Sequence, residues 1–122
     1  MIRAFLADER RYAGGLGVDE AEVRALAGAV FDRTRDIAAT LTNHGLLDEG
    51  PPPRGAITSI TAPALVLHGR DDPLFPPAHG EALARRIPGA RLILLDGVGH
   101  EVPPRPVWDV VVPAILEHTA TR

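Results

Sequence analysis

The stretch ALVLHGRDDPLFPPAHGEALARRIPGARLILLDGVGH, residues 64–100, carries the clearest indication of the fold of this chain. It opens on an apolar run of strand length (64–69), continues with helical spacing (77–87) and ends on a second apolar run (91–97). Fully apolar runs of this length are typical of parallel strands covered on both faces. Strand, helix and strand with short joints form a βαβ unit, whose crossover is right-handed. The sequence therefore predicts an α/β protein in which two parallel strands end at one edge of the sheet, where ligands bind in open α/β folds.

Polar residues follow both predicted strands at that edge. The first strand runs into HGRDDP and the second into DGVGHEVPP, so Asp72 lies three residues past Gly69 and His100 lies three residues past Gly97. A carboxylate that binds one ring nitrogen of a histidine fixes its tautomer and stabilises the imidazolium formed when the other nitrogen takes a proton. The pattern predicts such a pair, although the residues alone do not separate Asp72 from its neighbour Asp71.

The two loops and the helix between them resemble the C-terminal part of the α/β-hydrolase fold family, particularly its small esterase-like members. The resemblance covers residues 57–118 and rests on GRDDPLFP at 69–76 and GVGH at 97–100, in order and at the usual separation. It implies that Asp72 is the acid and His100 the base of a catalytic triad, and that Asp71 is a solvated turn residue.

The resemblance also implies a domain organisation. Residues 1–50 resemble the helical cap that the family inserts before its penultimate strand, and residues 57–122 correspond to the C-terminal part of the hydrolase core. Residues 51–56 lie between them and begin with three prolines, which neither continue a helix nor join a sheet interior. We therefore expect residues 51–56 to form an extended connector.

The nucleophile of the family is missing from this pattern. The family places it in a G-x-S-x-G turn ahead of the cap, in the order nucleophile, acid, base. The only serine of this chain, Ser59, lies in AITSITAP without a glycine elbow, and no aspartate or cysteine occupies one. We expect the acid- and base-bearing part of a carboxylic-ester hydrolase that is inactive alone and pairs with its missing N-terminal half. The alternative is a non-catalytic remnant or interaction module that self-associates through its exposed sheet edge.

Helical spacing dominates the N-terminal part. Residues 1–12 are predicted as a short helix, and Asp19 can cap a helix whose apolar positions continue to Leu41, as one long helix or two shorter ones. Asn43 and His44 fit a helix end better than a substrate contact. The C-terminal tail is predicted as a helix bent at Pro113 rather than a third strand.

Composition excludes several classes of function. The 122 residues carry a net charge of −3, so no basic footprint indicates binding to nucleic acid or an anionic membrane. Absence of cysteine excludes disulfides and thiol catalysis, and absence of lysine excludes a Schiff base. The charged N-terminus does not resemble a signal peptide, and no apolar run reaches membrane-spanning length. We expect a cytoplasmic protein that acts on a small ester-like substrate without a cofactor.

The remaining candidate residues have simpler interpretations. His68 is expected to be a buried, hydrogen-bonded core residue, and His79 and His118 to be surface residues on helices. A metal site assembled from the aspartates and histidines near the strand ends is not expected, since nothing in their spacing defines a ligand set. Three large apolar residues remain open between lining a pocket and packing in the core: Phe75, Val102 and Trp108.

Overall fold

A computed structural model describes residues 2–48, 50–52 and 55–120 of the chain. Its elements in chain order are α1 (Ile2–Tyr12), α2 (Glu20–Arg33), α3 (Ile37–Thr42), β1 (Leu65–Gly69), α4 (Pro77–Arg86), β2 (Arg91–Leu95) and α5 (Trp108–Ala120). Short 3₁₀ turns lie at Asn43–Leu46, Ile57–Ser59 and Arg105–Val107. The predicted connector is described only at its ends, because residues 53 and 54 lie outside the described part.

The N-terminal half is helical, as predicted. Asp19 caps α2, and its Oδ1 accepts hydrogen bonds from the backbone N–H groups of Ala21 and Glu22. The apolar pattern that could have formed one long helix is divided in two, because Asp36 caps α3 with a hydrogen bond from Ala39 N. A side chain that satisfies an otherwise unpaired N–H favours a new helix start at that point.

The second half contains the predicted βαβ unit. β1 and β2 pair in parallel, with Leu65 opposite Arg91 and Gly69 opposite Leu95, and α4 crosses between them. Each strand is slightly shorter than its apolar run. β2 ends at Leu95 because the chain turns at Gly97, whose φ is +73°, a backbone conformation that side-chain-bearing residues rarely adopt. Residues 108–120 form the predicted C-terminal helix, which continues through Pro113.

A small apolar core lies directly beneath the loop that carries His100. Leu95, Val98 and Val111 form its buried centre, and Leu67, Ile93 and Val107 pack against it. Val98 is 1% exposed although it belongs to the loop rather than to a strand. The position of the loop after β2 is therefore tied to the core. Within the described ranges, no helix has the length and apolar character needed to cross a membrane.

Candidate functional site

Backbone hydrogen bonds join the two loops that follow the strands. Arg70 N donates to Leu95 O at 2.9 Å, and Asp71 N donates to Val98 O at 3.0 Å. These bonds continue the pairing of the parallel strands beyond their last ladder positions. The loop after β1, which we call the acid loop (residues 70–76), and the loop after β2, which we call the base loop (residues 96–103), are therefore held side by side.

Asp72 binds both its own loop and His100. Its Oδ1 accepts hydrogen bonds of 2.8 Å from Leu74 N and from Phe75 N, forming an Asx turn. Its Oδ2 lies 2.9 Å from Nδ1 of His100. The Asp72 side chain is 7% exposed and that of His100 is 44% exposed. The neighbouring Asp71 instead accepts a hydrogen bond at Oδ2 from Gly15 N, at 3.0 Å. The structure thus pairs Asp72, and not Asp71, with His100.

The hydrogen bonds of Asp72 favour its ionised form. Burial of the carboxyl group raises its pKa, but hydrogen bonds from Phe75 N, the His100 ring and Leu74 N outweigh burial, and the pKa is lowered from its ordinary value. An ionised carboxylate only accepts hydrogen bonds, so Nδ1 of His100 carries the shared proton. Nε2 is then the nitrogen through which a neutral His100 can accept another proton.

Aromatic rings flank the imidazole of His100. The Tyr12 ring lies edge-on, with centroids 6.3 Å apart, and the Phe75 ring is tilted at 5.5 Å. Phe75 also contacts the ring of His79 at 5.5 Å. These rings limit the orientations of His100, while 44% of its side chain remains open to a reacting partner.

His100 lies in an open cleft with a volume of about 1030 Å³. The cleft runs between α1, α4 and the two loops. Apolar and titratable side chains both line it: Glu9, Leu67, Asp72, Phe75, His79, Leu83, Arg86, His100, Glu101 and Val102. Burial raises the pKa of Glu9, and the nearby carboxylates of Glu101 and Asp8 raise it further. The cleft thus combines apolar side chains with several titratable groups, one of which is the exposed imidazole of His100.

Sequence reasoning missed the segment between α1 and α2, which contacts the base loop. The backbone of Tyr12 and His100 is joined by a hydrogen bond of 2.8 Å from His100 N to Tyr12 O. The two backbones approach so closely that a Cβ at Gly14 would lie 2.3 Å from Gly97 O, and one at Gly99 would lie 2.0 Å from Tyr12 O. Gly14 and Gly15 are adjacent in the sequence, and such a pair of glycines is the signal that could have indicated a close approach of two backbones.

The other predicted residues have diverse surroundings. His68 is half-buried rather than buried, and its Nε2 lies 2.8 Å from Phe75 O, so it supports the acid loop. His79 is exposed on α4 as expected, whereas His118 on α5 is half-buried. The side chain of His44 lies outside the described part. The Ser59 hydroxyl donates to Ala56 O at 2.7 Å.

The large apolar residues left open by the sequence are all substantially exposed. Phe75 and Val102 line the cleft, while the Trp108 indole donates its Nε1–H to Pro103 O at 2.8 Å. Among the described residues, no three potential histidine, aspartate or glutamate ligands are grouped closely enough to hold a metal ion.

Comparison with known proteins agrees with this architecture. Rhodomycin D methylesterase DauP from Streptomyces sp. (strain C5) is 39% identical over 77 residues, which cover 62% of this chain and 26% of that protein. Rhodomycin D methylesterase DnrP from Streptomyces peucetius is 38% identical over the same length and with the same coverage. A pimeloyl-[acyl-carrier protein] methyl ester esterase from Aromatoleum aromaticum (strain DSM 19018 / LMG 30748 / EbN1) is 43% identical over 47 residues, 38% of this chain and 19% of that protein.

This chain therefore spans about a quarter of the length of the methylesterases that it matches. The sequence model described as the alpha/beta hydrolase fold matches residues 15–104, which include both strands, the helix between them and both loops of the site. Two parallel strands, their crossover helix and the C-terminal helix are the part of that fold observed here. The chain belongs to the α/β-hydrolase fold family.

Proposed function

We propose that this chain supplies the acid and base of a serine-type carboxylic-ester hydrolase, with Asp72 as the acid and His100 as the base. The observation that carries the proposal is the 2.9 Å contact between Asp72 Oδ2 and His100 Nδ1. It is supported by membership of the α/β-hydrolase fold family and by the lowered pKa of Asp72. Methylesterase names among the relatives favour a methyl ester as the substrate.

The proposed reaction uses the two ring nitrogens of His100 differently, because Nδ1 is bound to Asp72 and Nε2 is available to accept a proton. His100 Nε2 removes the proton from a serine hydroxyl as the serine oxygen forms a bond to the ester carbonyl carbon. Asp72 holds the resulting imidazolium through Nδ1. When the carbon–methoxy bond breaks, the imidazolium returns the proton and methanol leaves. Water, deprotonated in turn by His100, hydrolyses the acyl-serine to a carboxylic acid and restores the hydroxyl.

The serine in this proposal comes from outside the 122 residues. Ser59 is the only serine of the chain, it lacks the glycines of a nucleophile elbow, and it is not among the residues that line the cleft. Its hydroxyl is also engaged with Ala56 O. We therefore expect residues 1–122 alone to remain unlabelled by a fluorophosphonate probe, and stoichiometric labelling of this chain would contradict the proposed origin of the nucleophile.

The proposed roles are tested in the natural gene product that contains this sequence. His100→Ala should lower kcat for a carboxylic methyl ester by about 10³-fold or more, and Asp72→Asn by about 10²–10⁴-fold, because the base is lost or its tautomer is no longer held. His118→Ala, which removes a histidine from α5, serves as the matched control and should retain the wild-type rate. Unchanged turnover in His100→Ala would exclude the role assigned to that residue.

A second candidate is an interaction module, and it is favoured by the exposed apolar side chains of α5. Val110, Val112, Ile115 and Leu116 are all exposed on this helix. Each strand of the described two-stranded sheet also has one edge that pairs with no other described strand. A second copy of the chain is the partner that this surface fits best, since apolar residues and strand edges can pair with themselves.

Self-association is measured by sedimentation velocity over a wide range of protein concentration. The wild-type chain should sediment faster as concentration rises, and Leu116→Arg should weaken this effect. Leu47→Arg places the same charge at an exposed leucine away from α5 and serves as the control. A wild-type monomer at every concentration would contradict this second candidate.

A further inference from the structure

The segment Tyr12–Leu16, which we call the glycine strap, binds the base loop on both sides of His100. His100 N donates to Tyr12 O at 2.8 Å. On the following residue, Glu101 Oε1 accepts hydrogen bonds from Gly14 N at 3.1 Å and from Gly99 N at 3.0 Å. One partly buried carboxylate oxygen therefore joins the strap to the base loop immediately next to the imidazole.

The strap also binds the acid loop and the turn that begins the base loop. Gly15 N donates to Asp71 Oδ2 at 3.0 Å, and Asp71 immediately precedes Asp72. Leu16 N donates to Gly97 O at 3.0 Å. Consecutive residues of one short segment thus contact the sequence neighbours of both members of the acid–base pair.

These hydrogen bonds require the absence of side chains at the contact. A Cβ at Gly14 would lie 2.3 Å from Gly97 O and 2.6 Å from Gly99 N, and both of these are backbone atoms that cannot rotate away. By contrast, Gly28 in α2 has nothing within 4 Å of the corresponding position. The strap and the base loop must separate to admit even a methyl group at Gly14.

We propose that the glycine strap is a positioning element for the Asp72–His100 pair, and that Glu101 and Asp71 are its positioning residues. This inference rests on the proposed function, since it assigns the strap a purpose in that same site. Proton transfer, and the hydrogen bond to the acid that orients the histidine, need heavy-atom distances of about 2.6–3.2 Å. Both members of the pair lie on loops, where no helix or strand maintains such a distance. The strap binds both loops at once, so it adds to the direct bonds of Arg70 N and Asp71 N in fixing the separation of the loops. Glu101 contributes more than Asp71, because its two hydrogen bonds are partly buried and the single hydrogen bond to the Asp71 carboxylate is exposed.

The inference is tested first by ¹⁵N NMR of the His100 ring in the 122-residue chain, in the pH range where the ring signals themselves show the neutral imidazole. Wild-type protein should show the proton on Nδ1, as the contact with Asp72 requires. Gly14→Ala and Glu101→Ala should shift the ring towards a mixture of tautomers, because the imidazole moves away from the carboxylate. Gly28→Ala is the matched glycine control and should leave the ring signals unchanged.

Glu101→Gln separates the hydrogen bonds of Glu101 from its charge. The amide oxygen of glutamine can still accept from both backbone N–H groups, so this variant should restore the wild-type ring signals that Glu101→Ala loses. If Gly14→Ala fails to fold, the comparison of Glu101→Ala with Glu101→Gln provides the same test. Wild-type ring signals in a folded Gly14→Ala or Glu101→Ala variant would overturn the inference.

Kinetics in the natural gene product distinguish failure of the strap from failure of the proposed function. Glu101→Ala should lower kcat for a methyl ester by about tenfold or more with little change in KM, and Glu101→Gln should recover most of that loss. If His100→Ala abolishes turnover while Glu101→Ala leaves kcat and the ring signals unchanged, the strap inference fails and the proposed function stands. If no ester is hydrolysed but the ring signals respond as described, the proposed function fails and the positioning role stands.

Discussion

Asp72 Oδ2 lies 2.9 Å from His100 Nδ1, although the two residues are 28 positions apart in the chain. The contact forms because parallel strands deliver their following loops to one edge of the sheet. Backbone bonds from Arg70 and Asp71 to the β2 side then hold the loops together. The carboxylate is pre-oriented by its own loop, since its other oxygen already accepts two backbone hydrogen bonds.

Replacement of Asp72 by asparagine should alter the pH dependence of stability. The folded-state pKa of Asp72 is lowered, so its stabilising contribution is present above the ordinary aspartate pKa and is lost as pH falls through the folded value. Asp72→Asn should therefore destabilise the chain at neutral pH by about 1 kcal/mol or less, since the turn bonds persist and His100 is partly exposed. The difference from wild type should shrink as pH falls below the ordinary aspartate pKa, and it should disappear below the lowered folded-state pKa of Asp72.

Urea unfolding of both proteins at several pH values measures this difference. Asp32→Asn removes the same charge from an exposed position on α2 and should show a smaller pH-dependent difference. A constant difference between Asp72→Asn and wild type from acid to neutral pH would contradict the stabilising role of the ionised carboxylate.

The contribution of Glu9 to the stability of the fold should depend on pH in the opposite sense to that of Asp72. Its pKa is raised by burial and by Glu101 and Asp8, so its ionisation destabilises the folded state. Stability is greatest below the ordinary glutamate pKa, decreases as pH rises to the folded value and stays lower above it. Glu9→Gln should therefore stabilise the chain at neutral pH by less than about 1 kcal/mol and have no such effect at about pH 3.

Thermal unfolding monitored by circular dichroism at the two pH values checks the prediction for Glu9. Glu81→Gln provides the comparison, because Glu81 pairs with Arg85 on α4 and its neutralisation should not stabilise the chain. A lower Tm for Glu9→Gln at neutral pH would show that the carboxylate stabilises the fold instead.

Truncation of Val98 should be costly, because this loop residue belongs to the core. Val98 is 1% exposed and contacts the cluster formed with Leu95 and Val111. Val98→Ala should lower the free energy of unfolding by about 1–3 kcal/mol. Val102→Ala removes the same two methyl groups from a side chain that is 82% exposed, and it should change stability by less than about 0.5 kcal/mol. Urea unfolding measures the loss of unfolding free energy in both variants. Equal losses would contradict the prediction that Val98 stabilises the core and Val102 does not.

His68 should support the acid loop through the carbonyl of Phe75. The 2.8 Å contact requires the proton on Nε2, because a carbonyl oxygen only accepts. His68→Ala should destabilise the chain by about 1–3 kcal/mol through loss of this bond and of packing against Gly80. Hydrogen exchange of Leu74 and Phe75 amides should also become faster, whereas His118→Ala should leave these amides unaffected. Unchanged hydrogen exchange of the Leu74 and Phe75 amides in His68→Ala would show that the acid loop keeps its conformation without His68.

The order of the elements could be predicted from the residues alone, and so could the edge of the sheet at which the site would form. Apolar runs of strand length, a helix between them and polar residues just past each run are local patterns, which can be recognised from the order of the residues alone. Asp72 and His100 were therefore predicted as a pair, with the family resemblance needed to prefer Asp72 over Asp71. Apolar spacing alone is compatible with one helix or two between residues 20 and 42, whereas Asp36 provides a local capping signal for a second helix.

The contacts that hold the Asp72–His100 pair in place could not be predicted from the sequence. Hydrogen bonds from Gly14 and Gly15 to Glu101 and Asp71 join residues 87 and 56 positions apart, and no periodicity in the sequence encodes such contacts. They depend on how the helical half packs against the βαβ unit. Two backbones can approach to hydrogen-bonding distance there only because both carry glycine at the contact.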